Sequence, residues 1–142
     1  MSCFLLDANV LIAMAWPEHT AHDQVLRWFA KNADLGWATC PLTELAFVRI
    51  VSNPAFSPHA LTPREAMVVL DANVKHPSHR FWADNLSLLD ATKDTRPKLV
   101  GHQQLTDAYL LGLAAHHKAR LATLDTRIGF LLKDPSRLEL IH

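Results

Sequence analysis

Short apolar runs of strand length alternate with helical patterns along this 142-residue chain, and that alternation leaves few folds open. Phe4–Leu6 reads as a buried strand, and residues 9–15 as a helix that stops at Trp16-Pro17, because the residue before a proline is pushed out of the helical region. Residues 19–31 carry Val25, Leu26 and Phe29 at helical spacing. Residues 36–39 are strand-like; Pro41 suits a first helical turn, and Leu45, Val48 and Val51 supply the expected buried stripe of a helix closed by Asn53-Pro54. Thr62-Pro63-Arg64-Glu65 is a capping box with proline at the first helical position, opening a helix from Pro63 to about Asn73. Residues 80–82 read as a strand, Asp84 as the cap of a helix over 86–92, and residues 103–118 as a long helix rich in Leu and Ala. Residues 120–124 and 138–141 add two more strands.

Strands alternating with helices call for a mainly parallel sheet covered on both faces. Ligands of such sheets gather outside the carboxyl ends of the strands, near the point where strand order reverses. The length suits one domain, 1–142, with a single hydrophobic core, and 49% hydrophobic residues exclude a disordered chain. Fourteen Lys and Arg balance fourteen Asp and Glu, so any polyanion must be met by a local patch rather than by net charge. Cys3 and Cys40 lack metal-ligand spacing, and the first apolar run is too short for a membrane span and lacks the flanks of a signal peptide. The expected setting is the cytoplasm, with reduced thiols and no membrane.

The acidic residues fall where that sheet places chemistry. Asp7 directly follows Phe4–Leu6, and Asp125 ends LATLD, a second apolar strand stopping at a carboxylate. Glu44 lies in the first turn after residues 36–39, and Asp107 near the start of the long helix. If the strands ending in Asp7 and Asp125 are neighbours, four carboxylates can converge on one rim. Like charges in one site raise a pKa or demand a counter-ion. An oxygen-only ligand set favours Mg²⁺ or Mn²⁺ over zinc, and such an ion can activate water and hold a phosphodiester for in-line attack. Singly, Asp107 and Glu44 read equally well as first-turn acids serving a helix dipole, and Asn9 as an N-cap. The joint placement is what argues for a site.

Four blocks, FLLDANVLIA, PLTELAFVRIVSNPAF, GHQQLTDAYLLGLAAHH and LATLD, with HRFWAD between the second and third, resemble the PIN-domain ribonucleases in order and over nearly the whole chain, in particular the VapC toxins of toxin–antitoxin pairs. The resemblance implies an α/β/α sandwich around a five-stranded parallel sheet of order 3-2-1-4-5. It also implies a Mg²⁺-dependent endoribonuclease acting on RNA, usually a homodimer, held inactive by a cognate VapB-like antitoxin. Asp7, Glu44, Asp107 and Asp125 match the four metal-binding acids, Asn9 a polar residue that orients the first acid by hydrogen bond, and Thr123 a recurrent hydroxyl near the metal or phosphate. Thr123 is also an ordinary β-branched strand residue. The loop after Asp125 departs from the pattern: Asp125-Thr126-Arg127-Ile128-Gly129 lacks a further acid, which weakens the case for a second metal.

The nine histidines form no zinc set: His116 and His117 point apart on a helix, and His19 and His22 lack further ligands. Trp16, Trp28, Trp37 and Trp82 suit a core or interface better than base stacking. Arg49, a turn beyond Glu44, and Arg127, just past Asp125, are the candidate phosphate contacts, against solvated charge as the plain alternative. Two other functions stay open. An aspartyl-phosphate phosphohydrolase would use Asp7 as nucleophile, although an acid rather than Asn9 belongs two residues later. A non-catalytic partner-binding module would use the apolar helix surfaces in residues 19–31 and 42–51 for a second copy or an antitoxin helix.

Overall fold

A computed structural model describes residues 3–142. Five parallel strands, β1 (Phe4–Leu6), β2 (Trp37–Thr39), β3 (His79–Phe81), β4 (Arg120–Thr123) and β5 (Leu138–Leu140), form one sheet in the order β3-β2-β1-β4-β5. The order reverses at β1, between β2 and β4, so the rim around Asp7 is the switch point.

Six helices cover the sheet: α1 (Ala8–Ala15), α2 (His22–Asn32), α3 (Pro41–Val51), α4 (Pro63–Val74), α5 (Leu88–Ala91) and α6 (Leu105–His116). Strand side chains alternate between two cores. Leu5, Ala38 and Leu121 pack with Ala91, Leu110 and Leu113 of α5 and α6, whereas Phe4, Leu6, Trp37 and Ala122 pack with Val10, Val25, Phe47 and Ala66 of α1 to α4. Burial on both faces is why the three central strands, β1, β2 and β4, are largely apolar without polar alternation, and it gives the three-layer α/β/α sandwich expected from the resemblance. Gly112 lets α6 lie against α5: a Cβ there would overlap the Ala91 backbone.

Several expectations shift. On α3, Leu45 is 60% exposed, and the buried face is Thr43, Phe47, Val48 and Val51, because spacing by four residues turns the stripe away from Leu45. Asp84 caps nothing; Ser87 caps the short α5, its hydroxyl accepting from Asp90 N at 3.1 Å. The second helix starts at His22 rather than His19, after a turn in which His19 Nδ1 accepts from Ala21 N. The Thr62/Glu65 capping box is formed as read. Among the described residues no helix is long and apolar enough to cross a membrane.

Candidate active site

Asp7 sits where β1 gives way to α1. Its extended backbone makes it the N-cap, and Oδ1 accepts from Ala8 N at 2.8 Å. Only 9% of the residue is exposed, so its charge needs partners. The principal one is Thr123, the fully buried last residue of β4, whose hydroxyl donates to Asp7 Oδ2 at 2.8 Å. That hydroxyl is used completely, since it also accepts from Asn9 Nδ2 and from Asp125 N, both at 3.1 Å.

Asn9 makes no direct side-chain hydrogen bond to Asp7 among the described residues, and it is not the N-cap. Its amide spans from α1 to the end of β4, with Nδ2 on Thr123 and Oδ1 accepting from Leu124 N at 3.2 Å. It reaches the carboxylate only through Thr123. The parallel pairing of Leu5 with Leu121 and Leu6 with Ala122 sets this relationship, because it brings the ends of β1 and β4 level.

Three of the four acids interact. Asp107, in the first turn of α6 and half-buried, is pushed up to about 6 by burial and by the charges of Asp7 and Asp125, with Arg127 opposing. Burial raises Asp7 as well, against the hydrogen bonds from Thr123 and Ala8, and the charge of Asp125 adds to the rise. Asp125 goes the other way. Arg127 clasps it through Nε at 3.1 Å and Nη2 at 3.0 Å and holds its carboxyl below the usual range. The Arg127 side chain is 81% exposed, so the clasp is a surface ion pair that moves at little cost.

Glu44 is not among the charges that shift these three. It projects from the first turn of α3, at the end of β2, and its Oε2 accepts from the Thr39 hydroxyl at 2.7 Å. The same hydroxyl lies 2.8 Å from His79 Nε2 on the edge strand. Sequence reasoning missed Thr39 and His79; the only signal was a threonine closing the strand before the acid. Arg49 stands exposed in the last turn of α3 and joins no hydrogen bond or ion pair among the described residues.

Beside Asp107 and Asp125 opens a cleft of about 530 Å³, lined also by Gln103, Gln104, Arg127 and Ile128. As the side chains stand, no three His, Cys, Asp or Glu residues among the described ones are arrayed to hold a metal ion. The donor chemistry still fits a hard divalent cation: the three interacting acids offer oxygen only, their mutual repulsion is only partly offset by Arg127 at Asp107, and the cleft leaves room once Arg127 swings off Asp125.

Comparison with known proteins agrees with this geometry. Residues 4–131 match the PIN domain family model. The chain is 48% identical over 124 residues to Ribonuclease VapC38 of Mycobacterium tuberculosis, covering 87% of this chain and 86% of the relative. It is 40% identical over 125 residues to Ribonuclease VapC39 of the same organism, covering 88% and 90%. Similar folds occur in the DNA-bound VapBC of Salmonella typhimurium, with TM-score 0.67, 16% identity and 98% of both chains covered, and in VapBC2 of Rickettsia felis bound to a promoter DNA fragment, with TM-score 0.65, 14% identity and 99% of both covered. A carboxylate trio at the switch point of a 3-2-1-4-5 sheet, a family match spanning both Asp7 and Asp125, and relatives of this identity together make the chain a member of the PIN domain family, within its VapC group.

Proposed function

We propose that the protein is a metal-dependent endoribonuclease, the toxin of a toxin–antitoxin pair, acting on cytoplasmic RNA. The observation that carries the reading is the coupling of Asp7, Asp107 and Asp125 at the switch point, with Asp107 raised to about 6 by burial and by the charges of the other two, only partly offset by Arg127. Asp7, Asp107 and Asp125 are the residues that would hold Mg²⁺ or Mn²⁺, with Glu44 adding a fourth acid from the first turn of α3, beside the end of β2. Such an ion supplies charge stabilisation for the phosphate and a water of lowered pKa. Asp7 is the fixed member, oriented by Ala8 N and the Thr123 hydroxyl, with Asn9 supporting Thr123 from outside. Arg127 sits where a phosphate entering the cleft could take its guanidinium from Asp125. Arg49 is the second candidate phosphate contact.

The relatives' names speak for a ribonuclease, and the structural neighbours, which are VapBC proteins, for a VapB-like antitoxin. Exposed Leu42, Leu45 and Ile50 on α3, with Met67 and Val68 on α4, supply apolar surface for an antitoxin helix or for the second subunit of a homodimer. An aspartyl-phosphate mechanism is less well served: the residue two beyond Asp7 is Asn9, its amide committed to Thr123 and Leu124.

The test is purified protein on a mixed RNA pool, with and without Mg²⁺, beside Asp7→Asn and Asp107→Asn. Cutting that needs Mg²⁺ and both carboxylates supports the reading. Cutting that persists in chelator, or equally in both variants, overturns it; a covalent phosphoprotein at Asp7 would favour the phosphohydrolase.

A further inference from the structure

Two strands end in a fully buried threonine whose hydroxyl meets an acid of the site: Thr123 closes β4 and meets Asp7, and Thr39 closes β2 and meets Glu44. The surroundings of the two hydroxyls differ. Thr123 takes its incoming hydrogen bonds from an asparagine amide and a backbone N–H, which are donors in any state. Thr39 faces a histidine ring nitrogen, which is a donor only when it carries a proton.

The hydroxyl of Thr39 has one proton and two acceptors within reach, Glu44 Oε2 at 2.7 Å and His79 Nε2 at 2.8 Å. A hydroxyl–carboxylate bond is charge-assisted and the stronger of the two, so it takes the proton. The second contact is then a hydrogen bond only if His79 Nε2–H donates to Thr39 Oγ1. Burial of Thr39 leaves no water to substitute. Register sets the arrangement: Trp37 pairs with His79 and Thr39 with Phe81, which places the imidazole diagonally beside the threonine on the same face of the sheet.

We propose that His79 and Thr39 are positioning residues that act in series on Glu44, the Nε2–H of His79 directing the single Thr39 proton to the carboxylate and fixing its orientation on the acidic rim. The inference rests on the nuclease reading for its consequence in catalysis, but not for its geometry. Burial holds the His79 ring below its ordinary pKa, with the Glu44 charge opposing, His76 adding to the drop and the Val74 carbonyl opposing it. In the neutral Nε2–H tautomer and in the imidazolium alike, Nε2 carries the proton that the relay needs.

The first test is a long-range ¹H–¹⁵N correlation spectrum of the histidines of the full chain at neutral pH, with His79 assigned from its loss in His79→Gln. A protonated Nε2 is expected, whether the ring is neutral or cationic. A bare Nε2 would mean that Thr39 donates to His79 and not to Glu44, and overturns the relay. The second test is RNA cleavage. Thr39→Val and His79→Leu are each expected to lower kcat about tenfold with KM within about twofold, whereas Thr39→Ser and His79→Gln, which keep the hydroxyl and an N–H donor, stay within about threefold of the parent. Unchanged kcat in the two disruptive variants overturns the inference. If Thr39→Val does not fold, judged by its thermal melt, the His79 pair decides. If the parent cuts no RNA, the nuclease reading fails and the spectrum alone decides the relay.

Discussion

Arg127 grips both oxygens of Asp125, Nε to Oδ1 and Nη2 to Oδ2, and its backbone N–H adds a third bond to Oδ1 at 2.9 Å. One exposed cation thus shares an acidic site with a half-buried Asp107 and a buried Asp7. The arginine pairs directly with the most exposed acid and offsets the charge at Asp107 only in part.

Arg127→Ala is expected to change folding stability by less than about 1 kcal/mol, since the pair is at the surface. It should tighten Mn²⁺ binding by freeing Asp125, while raising KM for RNA by removing a phosphate contact. Calorimetric Mn²⁺ titration and cleavage kinetics check the two effects separately.

The pH dependence of stability follows from Asp107. Its folded value of about 6 lies above the ordinary 3.8, so between these values the folded chain holds a proton that the unfolded chain has lost. The stability from this group is present below about pH 4 and is lost as pH rises through about 6. In chelator at pH 7.5, Asp107→Asn should exceed the parent by about 1–2 kcal/mol, a range discounted for half-exposure, and match it at pH 4. Urea unfolding at the two pH values measures this, and Mg²⁺ should shrink or reverse the gap, because it stabilises only the chain that binds it.

Thr123→Val keeps the shape and removes the donor to Asp7 together with the acceptor for Asn9 and Asp125 N. Leaving these buried and partly buried groups unpaired is expected to cost about 1–3 kcal/mol, and Thr123→Ser should recover most of it. Denaturant unfolding at pH 7 gives both values.

Gly112→Ala tests how α6 delivers Asp107. The added methyl meets the Ala91 backbone rather than a flexible side-chain end, so α5 and α6 must move apart at a cost of about 1–3 kcal/mol. Cleavage is expected to fall with it, read as a loss of kcat in the variant at a temperature where it is still folded.

Much of this was legible in the chain. Apolar runs ending in Asp7 and Asp125 gave the strands and their chemical ends, and the Thr62/Glu65 box gave the start of α4. What could not be read depended on rotation and register. Leu45 faces outward because the α3 stripe runs through Thr43, Phe47 and Val51. Thr39 holds Glu44, and His79 meets Thr39 only through the pairing of β2 with β3, two segments distant in sequence. The direction of Asn9 is hidden in the sequence for a similar reason: its partner lies 114 residues away, on β4.

The central claim is that Asp7, Asp107 and Asp125 share one divalent cation. Crystals of the active protein soaked in Mn²⁺ test it through anomalous scattering. A peak in contact with all three carboxylates, with Arg127 displaced from Asp125, is the expected result. No manganese at that cluster, with the Arg127 clasp intact, contradicts it.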